Sequence, residues 1–163
     1  MDIYQHLSEH DVSYQRFDHP PVYTCDEAKR LAPDMPGANT KNLFLRDNKG
    51  KRHFLVLVDY EKTVDLKQLS KVLGVSGLSL ASAERLSKHL GVEPGSVSIL
   101  AALNDSQGAV QVVVDKQLWL EDSFCCHPLV NTSTLVISRA DIEKLLHVSG
   151  HQPQIVSVPD KMS

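Results

Sequence analysis

The chain has 163 residues, 42% of them hydrophobic and 23% charged, and these values exclude a disordered or low-complexity protein. A chain of this length typically forms one domain, so we expect residues 1–163 to be a single domain that folds without metal or disulfide bonds. The net charge of −3 excludes a protein that holds nucleic acid through a global positive field. It does not exclude one that reads a short stretch of nucleic acid in a local cleft.

The cysteines and the apolar segments indicate the compartment. Cys25, Cys125 and Cys126 show no framework spacing, which indicates a reducing environment. The N-terminal sequence has neither the basic nor the apolar region of a signal peptide. The longest apolar runs, of about five residues, are far shorter than the ~20 that cross a bilayer. We therefore expect a cytoplasmic protein with no membrane contact.

Helical and strand-like segments follow one another in an irregular order. Apolar residues at helical spacing predict the helices, with N-caps such as Ser82 and Ser138 before them and stops such as Gly74 and Gly91 after them. Short apolar runs bounded by turn formers predict the strands and extended segments. Helices are expected at 2–10, 25–32, 65–73, 82–90 and 138–146, and extended segments at 22–25, 42–46, 53–58, 77–81, 110–114, 123–130, 135–137 and 155–158.

This order of segments predicts the fold class. Strands and helices mix without strict βαβ alternation, so we expect a mixed α/β or α+β domain. The strand at 53–58 is almost wholly apolar, which predicts that it lies in the centre of a sheet with both faces buried.

Two groups of basic residues are candidates for binding an anion. Lys41 follows a loop rich in glycine and proline, where its ammonium could grip a phosphate or an ester carbonyl, or simply be solvated. The turn after the first long strand carries a basic cluster that would contact a nucleic-acid backbone, or be solvated as well. This cluster contains Arg46, Lys49, Lys51 and Arg52.

A histidine and a glycine loop are the other candidates. His127 follows two cysteines, but the absence of any Cys-x-x-Cys pattern argues against a zinc site, and nothing marks a reactive thiol. His127 is therefore either a hydrogen-bonding group in a pocket or a core histidine. The loop at 91–98 could present backbone N–H groups to an anion or a carbonyl oxygen, or be a structural turn. The residues alone indicate a cleft of Lys, His, Asn and a glycine loop, without metal.

Four motifs in order carry a family resemblance. They are HPPVYT at 19–24, TKNLFL at 40–45, GVEPGSVS at 91–98 with LND at 103–105, and HPLVNT at 127–132. In this order and spacing they resemble the YbaK/ProX family of aminoacyl-tRNA deacylases, relatives of the editing domain inserted in bacterial prolyl-tRNA synthetase. The resemblance covers about residues 3–158, and the PGSVS loop is most similar to the alanine-clearing ProX type.

The resemblance implies a fold and an activity. The fold is a compact editing domain with a central mixed, partly antiparallel sheet surrounded by helices. Its cleft takes the aminoacylated 3′ end of tRNA-Pro and hydrolyses the ester of a wrong amino acid, Ala-tRNA-Pro in the ProX type. The alternatives are Cys-tRNA-Pro hydrolysis of the YbaK type and a non-catalytic module that binds the tRNA end. No metal or cofactor and no DNA partner is implied, and prolyl-tRNA synthetase is a further expected partner.

The resemblance also implies the site residues. The essential lysine of the family falls on Lys41, its histidine on His127, and its glycine loop on 91–95 with Gly95 as the catalytic position. Beside these, the loop offers Val97 and Ile99 either as a short aliphatic lining that admits alanine or as ordinary core residues. The expected substrate-binding residues are Asn42, Pro94, Ser96, Val97, Asn131 and Thr132, and the basic cluster of Arg46, Lys49, Lys51 and Arg52 is expected to hold the tRNA backbone. The attacking water would be activated by a backbone carbonyl or by the ribose hydroxyl of the substrate.

Overall fold

The computed structural model describes residues 2–20 and 36–161. Three short 3₁₀ turns accompany the regular elements, at Pro94–Ser96, Ile99–Asn104 and Leu118–Leu120. The helices are α1 (Ile3–Glu9), α2 (Leu66–Leu73), α3 (Ala83–Leu90) and α4 (Arg139–Val148). The strands are β1 (Tyr14–Asp18), β2 (Thr40–Asp47), β3 (His53–Asp59), β4 (Leu78–Leu80), β5 (Val110–Asp115), β6 (Ser123–Cys126), β7 (Ser133–Ser138) and β8 (Gln154–Val156).

The helices begin and end where capping residues satisfy their free backbone groups. The hydroxyl of Ser82 accepts a hydrogen bond from the backbone amide of Arg85, and that of Ser138 accepts one from the amide of Asp141. Both predicted N-caps are therefore confirmed. Gly74 and Gly91 end α2 and α3 in the left-handed conformation, with φ of 73° and 66°. The predicted stops of these two helices are therefore confirmed as well.

A five-stranded mixed sheet forms the centre of the fold, as expected. Its strand order is β4-β2-β3-β5-β8, with β2 antiparallel to β3 and β4, and with β3, β5 and β8 parallel. The first six residues of β3 are buried, which confirms the central position that its apolar sequence predicts. The predicted fold class, a mixed α/β or α+β arrangement, is confirmed.

A second, three-stranded antiparallel sheet with the order β1-β7-β6 was not expected. The sequence does not reveal β1, because four of its five residues are exposed and the strand lacks an apolar face. A parallel bridge between Ala38 and Phe124 joins the two sheets. The amide of Ala38 donates to Ser123, and its carbonyl accepts from Cys125, at 3.0 and 2.9 Å.

The apolar side chains of the five-stranded sheet divide between two cores. One face, with Phe44, Leu55 and Leu57, joins the main core, which also takes in Phe124 and Leu135 of the second sheet. The opposite face joins a smaller core with α2 and the C-terminal segment. That core contains Leu45, Phe54, Val56, Val58, Val64, Leu69, Leu73, Val113 and Val158. The two faces of β2 are therefore separate environments, which matters for the site.

Two predicted segments differ from the observed elements, and two others cannot be compared with them. The extended segment expected at 123–130 stops at Cys126, since Pro128 has no amide to donate and Leu129 adopts a left-handed φ of 67°. The last strand ends at Val156 rather than at residue 158. The capped helix at 25–32 and the segment at 22–25 lie outside the described residues. In the described ranges, no helix is long and apolar enough to cross a membrane.

Candidate functional site

The bridge between the two sheets brings the start of β2 beside the end of β6. Both segments run in the same direction from Ala38 and Phe124, and the hydroxyl of Thr40 donates to the carbonyl of Cys125 at 2.7 Å. Asn42 lies four residues beyond the bridge and His127 three residues beyond it. Two of the predicted site residues, far apart in sequence, are therefore brought to the same end of the interface between the sheets.

His127 is a half-buried histidine with a fixed tautomer. Its Nδ1 donates to the carbonyl of Ser133 at 3.2 Å, which leaves Nε2 as an acceptor. Burial lowers its pKa below the ordinary 6.5; the bond to Ser133 opposes this shift, and the nearby His19 adds to it. The ring is consequently neutral at physiological pH and can orient a water or a hydroxyl through Nε2.

A second histidine, His19 from the HPPVYT motif, supports this arrangement. Its ring lies 6.4 Å from that of His127 between centroids. Its Nδ1 donates to the carbonyl of Pro20 at 2.9 Å, and its Nε2 bonds to the hydroxyl of Thr134 at 2.8 Å. Its backbone amide donates to Thr132, so the predicted substrate-binding segment at 127–132 is held by the end of β1. Sequence reasoning used His19 only as part of a motif and assigned it no role.

Asn42 carries an unusual polar atom for a strand residue. Its side-chain oxygen is buried and has no hydrogen-bond partner among residues 2–20 and 36–161. A buried acceptor without a donor costs about 1–3 kcal/mol, so such an atom is retained where a ligand can satisfy it. Asn42 is therefore suited to receive an N–H or O–H group of a bound substrate.

Lys41 points to the other face of the same strand. Strand residues alternate between faces, and Lys41 pairs with Val58 of the smaller core while Asn42 pairs with Leu57 of the main core. The Lys41 ammonium donates to the backbone carbonyl of Lys62, in the connection between β3 and α2. The structure thus places the Asn42 side chain on one face of β2 and the base of the Lys41 side chain on the other.

The glycine loop after α3 packs onto the main core. Gly91 adopts a left-handed φ of 66°, which favours glycine, and an added Cβ there would lie 3.2 Å from the side-chain nitrogen Nδ2 of Asn104. The amide of Ser96 already donates to the carbonyl of Glu93 at 2.9 Å. The Ser96 amide is thus committed to this turn, and Gly95 stays the predicted catalytic position of the loop.

The expected aliphatic lining is only partly supported. Val97 is half-buried against the main core and remains available to a ligand. Ile99, at 2% exposure, is enclosed in that core and is an ordinary packing residue. For Ile99 the alternative of core packing is the one observed, since Ile99 to Ala102 of the 3₁₀ segment are all buried.

The segment between β6 and β7 is irregular where the motif residues lie. Leu129 has a left-handed φ of 67°, which is rare for a branched residue and is found where surrounding structure imposes it. Asn131 is half-buried and Thr132 is exposed. These two predicted substrate-binding residues therefore share a short, constrained loop with His127.

The adjacent cysteines are unsuited to nucleophilic chemistry. Cys125 and Cys126 are both buried. Burial raises the pKa of the Cys125 thiol to about 11 and that of Cys126 still further above its usual value. Both thiols are protonated at neutral pH. Within the described part of the chain, no group of three or more His, Cys, Asp or Glu is placed to hold a metal ion.

The basic turn between β2 and β3 is rigidly built. The buried carboxylate of Asp47 accepts the amides of Lys51 and Arg52 at 2.9 and 3.1 Å, and the bond from Arg52 is the main cause of its lowered pKa. Lys49 and Lys51 are exposed at the tip. The Arg52 guanidinium bonds to Gln111 at 2.9 Å, so only part of its donor capacity stays available.

One basic residue of this surface was missed from the sequence. Arg85 of α3 donates to the carbonyl of Gly50 at 3.1 Å, and its guanidinium and that of Arg46 both lie beside Gly50. Arg85 also contacts Nε2 of His53 at 2.9 Å. Since 35 residues separate Arg85 from Gly50, no local pattern could have joined it to the turn. We refer to Arg46, Lys49, Lys51, Arg52 and Arg85 as the basic surface.

Similar proteins are known for most of the length of this chain. The aminoacyl-tRNA editing domain family matches residues 19–145. The chain is 39% identical to the prolyl-tRNA editing protein ProX of Acetoanaerobium sticklandii, over 89% of this chain and 88% of the relative. It is 34% identical to the prolyl-tRNA synthetase associated domain-containing protein 1 of Danio rerio, over 96% of this chain and 85% of the relative.

Solved structures agree on the fold. A crystal structure of a proposed trans-editing enzyme for prolyl tRNA synthetase superposes with a TM-score of 0.68 at 16% identity, covering 97% of this chain and 95% of that one. The family match and the ProX relative confirm the family resemblance and the enzyme class expected from it, an aminoacyl-tRNA hydrolase. The chain belongs to the aminoacyl-tRNA editing domain family.

Proposed function

We propose that this protein is a trans-editing deacylase that hydrolyses the ester of mischarged tRNA-Pro, with Ala-tRNA-Pro as its main substrate. The observation that carries the proposal is the 39% identity, over 89% of the chain, to a relative named as a prolyl-tRNA editing protein. The motifs at 40–45, 91–98 and 127–132 lie in the region that the family covers. Residues 1–163 would then form one editing domain.

The proposed reaction is attack of water on the ester carbonyl. A bond forms between the water oxygen and the carbonyl carbon, and the bond from that carbon to the ribose oxygen breaks. One proton of the water ends on the ribose oxygen, which gives a free amino acid and an uncharged tRNA. Water is the proposed nucleophile because both described cysteines are buried and protonated.

His127, Gly95 and Asn42 are proposed to position different groups of the substrate and the attacking water. Nε2 of His127 is proposed to accept a hydrogen bond from the water or from the free ribose hydroxyl. The amide of Gly95 is proposed to stabilise the developing oxyanion. The buried oxygen of Asn42, which has no partner among the described residues, is proposed to accept a hydrogen bond from the substrate amino group. An aminoacyl ester is already activated, so holding these groups in place supplies most of the required catalysis.

Lys41 is proposed to bind a phosphate of the terminal nucleotides rather than the ester. Its side chain leaves β2 on the opposite face from Asn42, and its ammonium already bonds to a backbone carbonyl. A flexible ammonium with two further donors can grip a phosphate while that carbonyl holds it in place. This division of roles keeps the negative phosphate away from the carbonyl under attack.

The basic surface is proposed to contact the backbone of the acceptor stem. Arg46 lies five residues along β2 from Lys41, a span of about 17 Å at roughly 3.4 Å per residue. The surface is therefore too far away to touch the terminal nucleotide held by Lys41, but it is within reach of the neighbouring stem. Prolyl-tRNA synthetase, which releases the mischarged tRNA, is the proposed protein partner.

The decisive experiment is single-turnover deacylation of tRNA-Pro charged separately with alanine, cysteine and proline. We expect rapid loss of the alanyl ester and persistence of the prolyl ester. Clearance of the cysteinyl ester with the alanyl ester untouched would identify a cysteine-specific enzyme. Binding of all three without hydrolysis would identify a module that only binds the tRNA end.

A further inference from the structure

A chain of polar contacts connects Lys41 to the far side of the smaller core. The Lys41 ammonium donates to the backbone carbonyl of Lys62. The Lys62 ammonium in turn donates to Oδ2 of Asp115, at the end of β5, and to the carbonyl of Val158, both at 2.8 Å. The other oxygen of Asp115 accepts the amide of Val158 at 3.0 Å. Three separate segments therefore meet around the side chain of Lys62.

The ion pair of Lys62 and Asp115 is deeply buried. The side chains are 15% and 3% exposed. Burying two opposite charges costs several kcal/mol of desolvation per ion, and an apolar pair of similar volume often stabilises a protein as well or better. The gain in stability alone therefore does not account for this pair. The pair ties the Lys62 side chain to the end of β5 and to the C-terminal segment.

The surrounding hydrogen bonds add to this constraint. The amide of Lys62 donates to Asp59 at 3.0 Å, which ties the residue to the end of β3. Asp65 and Thr63 are bonded through their backbones to Pro159 and Lys161 at 2.9 Å. The Lys62 carbonyl is thereby held from β3, from β5 and from the C-terminal segment, and it is the acceptor of the Lys41 ammonium.

We propose that Lys62 and Asp115 are positioning residues for Lys41, holding its ammonium where it meets the aminoacylated end of the tRNA. The proposal rests on the proposed function for what Lys41 binds, but the placement of Lys41 can be measured without a substrate. The ion pair helps to fix the Lys62 carbonyl, and the carbonyl fixes the Lys41 ammonium. A substrate misplaced by about 1 Å, even through a change far from the reacting atoms, can react on the order of 100-fold more slowly.

The test replaces the pair by a neutral one. In the double variant Lys62→Met with Asp115→Asn, neither charge of the pair is left buried, and the oxygen of the new amide can still accept the amide of Val158. The matched control is Asp105→Asn, which weakens another buried pair, with His151 at 2.9 Å, at the opposite end of β5. Lys62→Arg keeps the charge and is the conservative variant.

The first readout is the single-turnover rate of Ala-tRNA-Pro deacylation beside the melting temperature. We expect the double variant to lose about 10- to 100-fold in deacylation rate. Lys62→Arg, which keeps the charge, should lose less, and Asp105→Asn should keep the wild-type rate at a stability comparable to that of the double variant. In a Lys41→Ala background the double variant should cause no further loss, because both changes act through one group. Full additivity, an equal loss in Asp105→Asn, or a rate within about threefold of wild type would overturn the proposal.

The second readout is independent of activity. Acetylation of Lys41 by acetic anhydride, measured by mass spectrometry against exposed Lys49 in the same sample, reports how firmly the ammonium is held. We expect faster labelling of Lys41 in the double variant and no change in Asp105→Asn. Unchanged labelling would refute the positioning role even if the rate fell. A wild-type protein that does not deacylate Ala-tRNA-Pro would refute the proposed function, while this measurement would still decide the placement of Lys41.

Discussion

His19 and His127 are bonded to two successive residues of β7, with 6.4 Å between their ring centroids. His127 donates through Nδ1 to the carbonyl of Ser133, while Nε2 of His19 bonds to the hydroxyl of Thr134. One strand thus orients both rings. Because Nδ1 of His127 is committed to a carbonyl, Nε2 is the atom left to act on a ligand.

Replacing His127 by asparagine should separate the structural role of Nδ1 from the proposed catalytic role of Nε2. The amide nitrogen of asparagine can take the place of Nδ1 and keep the bond to Ser133, but nothing then stands at Nε2. We expect His127→Asn to retain its melting temperature and to lose about 10- to 100-fold in single-turnover deacylation. A fully active His127→Asn would show that Nε2 has no role in the reaction.

The lowered pKa of His127 also predicts how stability depends on pH. Burial, reinforced by His19 and opposed by the bond to Ser133, holds the pKa of His127 below its unfolded value of 6.5. The unfolded chain then binds more protons, so this contribution to stability is fully present above pH 6.5 and is lost as the pH falls through the folded pKa. Urea unfolding of wild type and His127→Asn between pH 5 and 8 should give a flatter pH dependence for the variant. Equal slopes would contradict the prediction.

Local patterns in the sequence account for much of the fold. The caps at Ser82 and Ser138 and the stops at Gly74 and Gly91 involve residues within one turn of each other, so they can be predicted without tertiary contacts. The apolar run in β3 predicts burial on both faces for the same reason. The exposed strand β1 gives no such signal, because its place in the second sheet is set by pairing with β7.

The candidate site is less accessible to sequence reasoning. Strand alternation is enough to place Lys41 and Asn42 on opposite faces of β2. The contacts of Lys62 with Asp115 and of Arg85 with Gly50 join residues 53 and 35 positions apart. Such contacts depend on how the sheets and helices pack, and no local pattern in a single sequence predicts them.

Lys41 should be the most sensitive residue of the site. We expect Lys41→Ala to lose nearly all deacylation with its fold intact, because no other described residue takes the same place at the Lys62 carbonyl. Lys144→Ala, which removes an ammonium from the surface of α4, is the matched control and should remain active. A Lys41→Ala rate within about threefold of wild type, a barrier change below ~0.7 kcal/mol, would remove Lys41 from the mechanism.

Salt should weaken tRNA binding to a moderate extent. Lys41 and the basic surface provide for about three to five phosphate contacts, which at about −0.7 per phosphate predict a log–log slope of −2 to −4. Lys51→Ala, at the exposed tip of the turn, should reduce the magnitude of the slope by about 0.7, whereas Lys144→Ala should not change it. A slope near zero for wild type would mean that the protein recognises the amino acid alone.

The pocket should accept alanine and refuse proline because of size. A synthetase site that admits proline also admits the smaller alanine, and the missing methylenes cost only about 1–3 kcal/mol, too little for faithful translation. A second and smaller site corrects the error by excluding the larger amino acid. Val97, half-buried beside Gly95, is the aliphatic residue left to set that size, since Ile99 is enclosed in the core.

We therefore expect Ala-tRNA-Pro to be cleared at least ~100-fold faster than Pro-tRNA-Pro, a difference of about 2.7 kcal/mol in the barrier. Val97→Ala enlarges the proposed pocket and should raise the rate on the prolyl ester while leaving the alanyl rate nearly unchanged. Val148→Ala, an exposed position on α4, is the matched control and should alter neither rate. Comparable wild-type rates on both esters would refute the editing function. An unchanged prolyl rate in Val97→Ala would instead move the size filter to another residue.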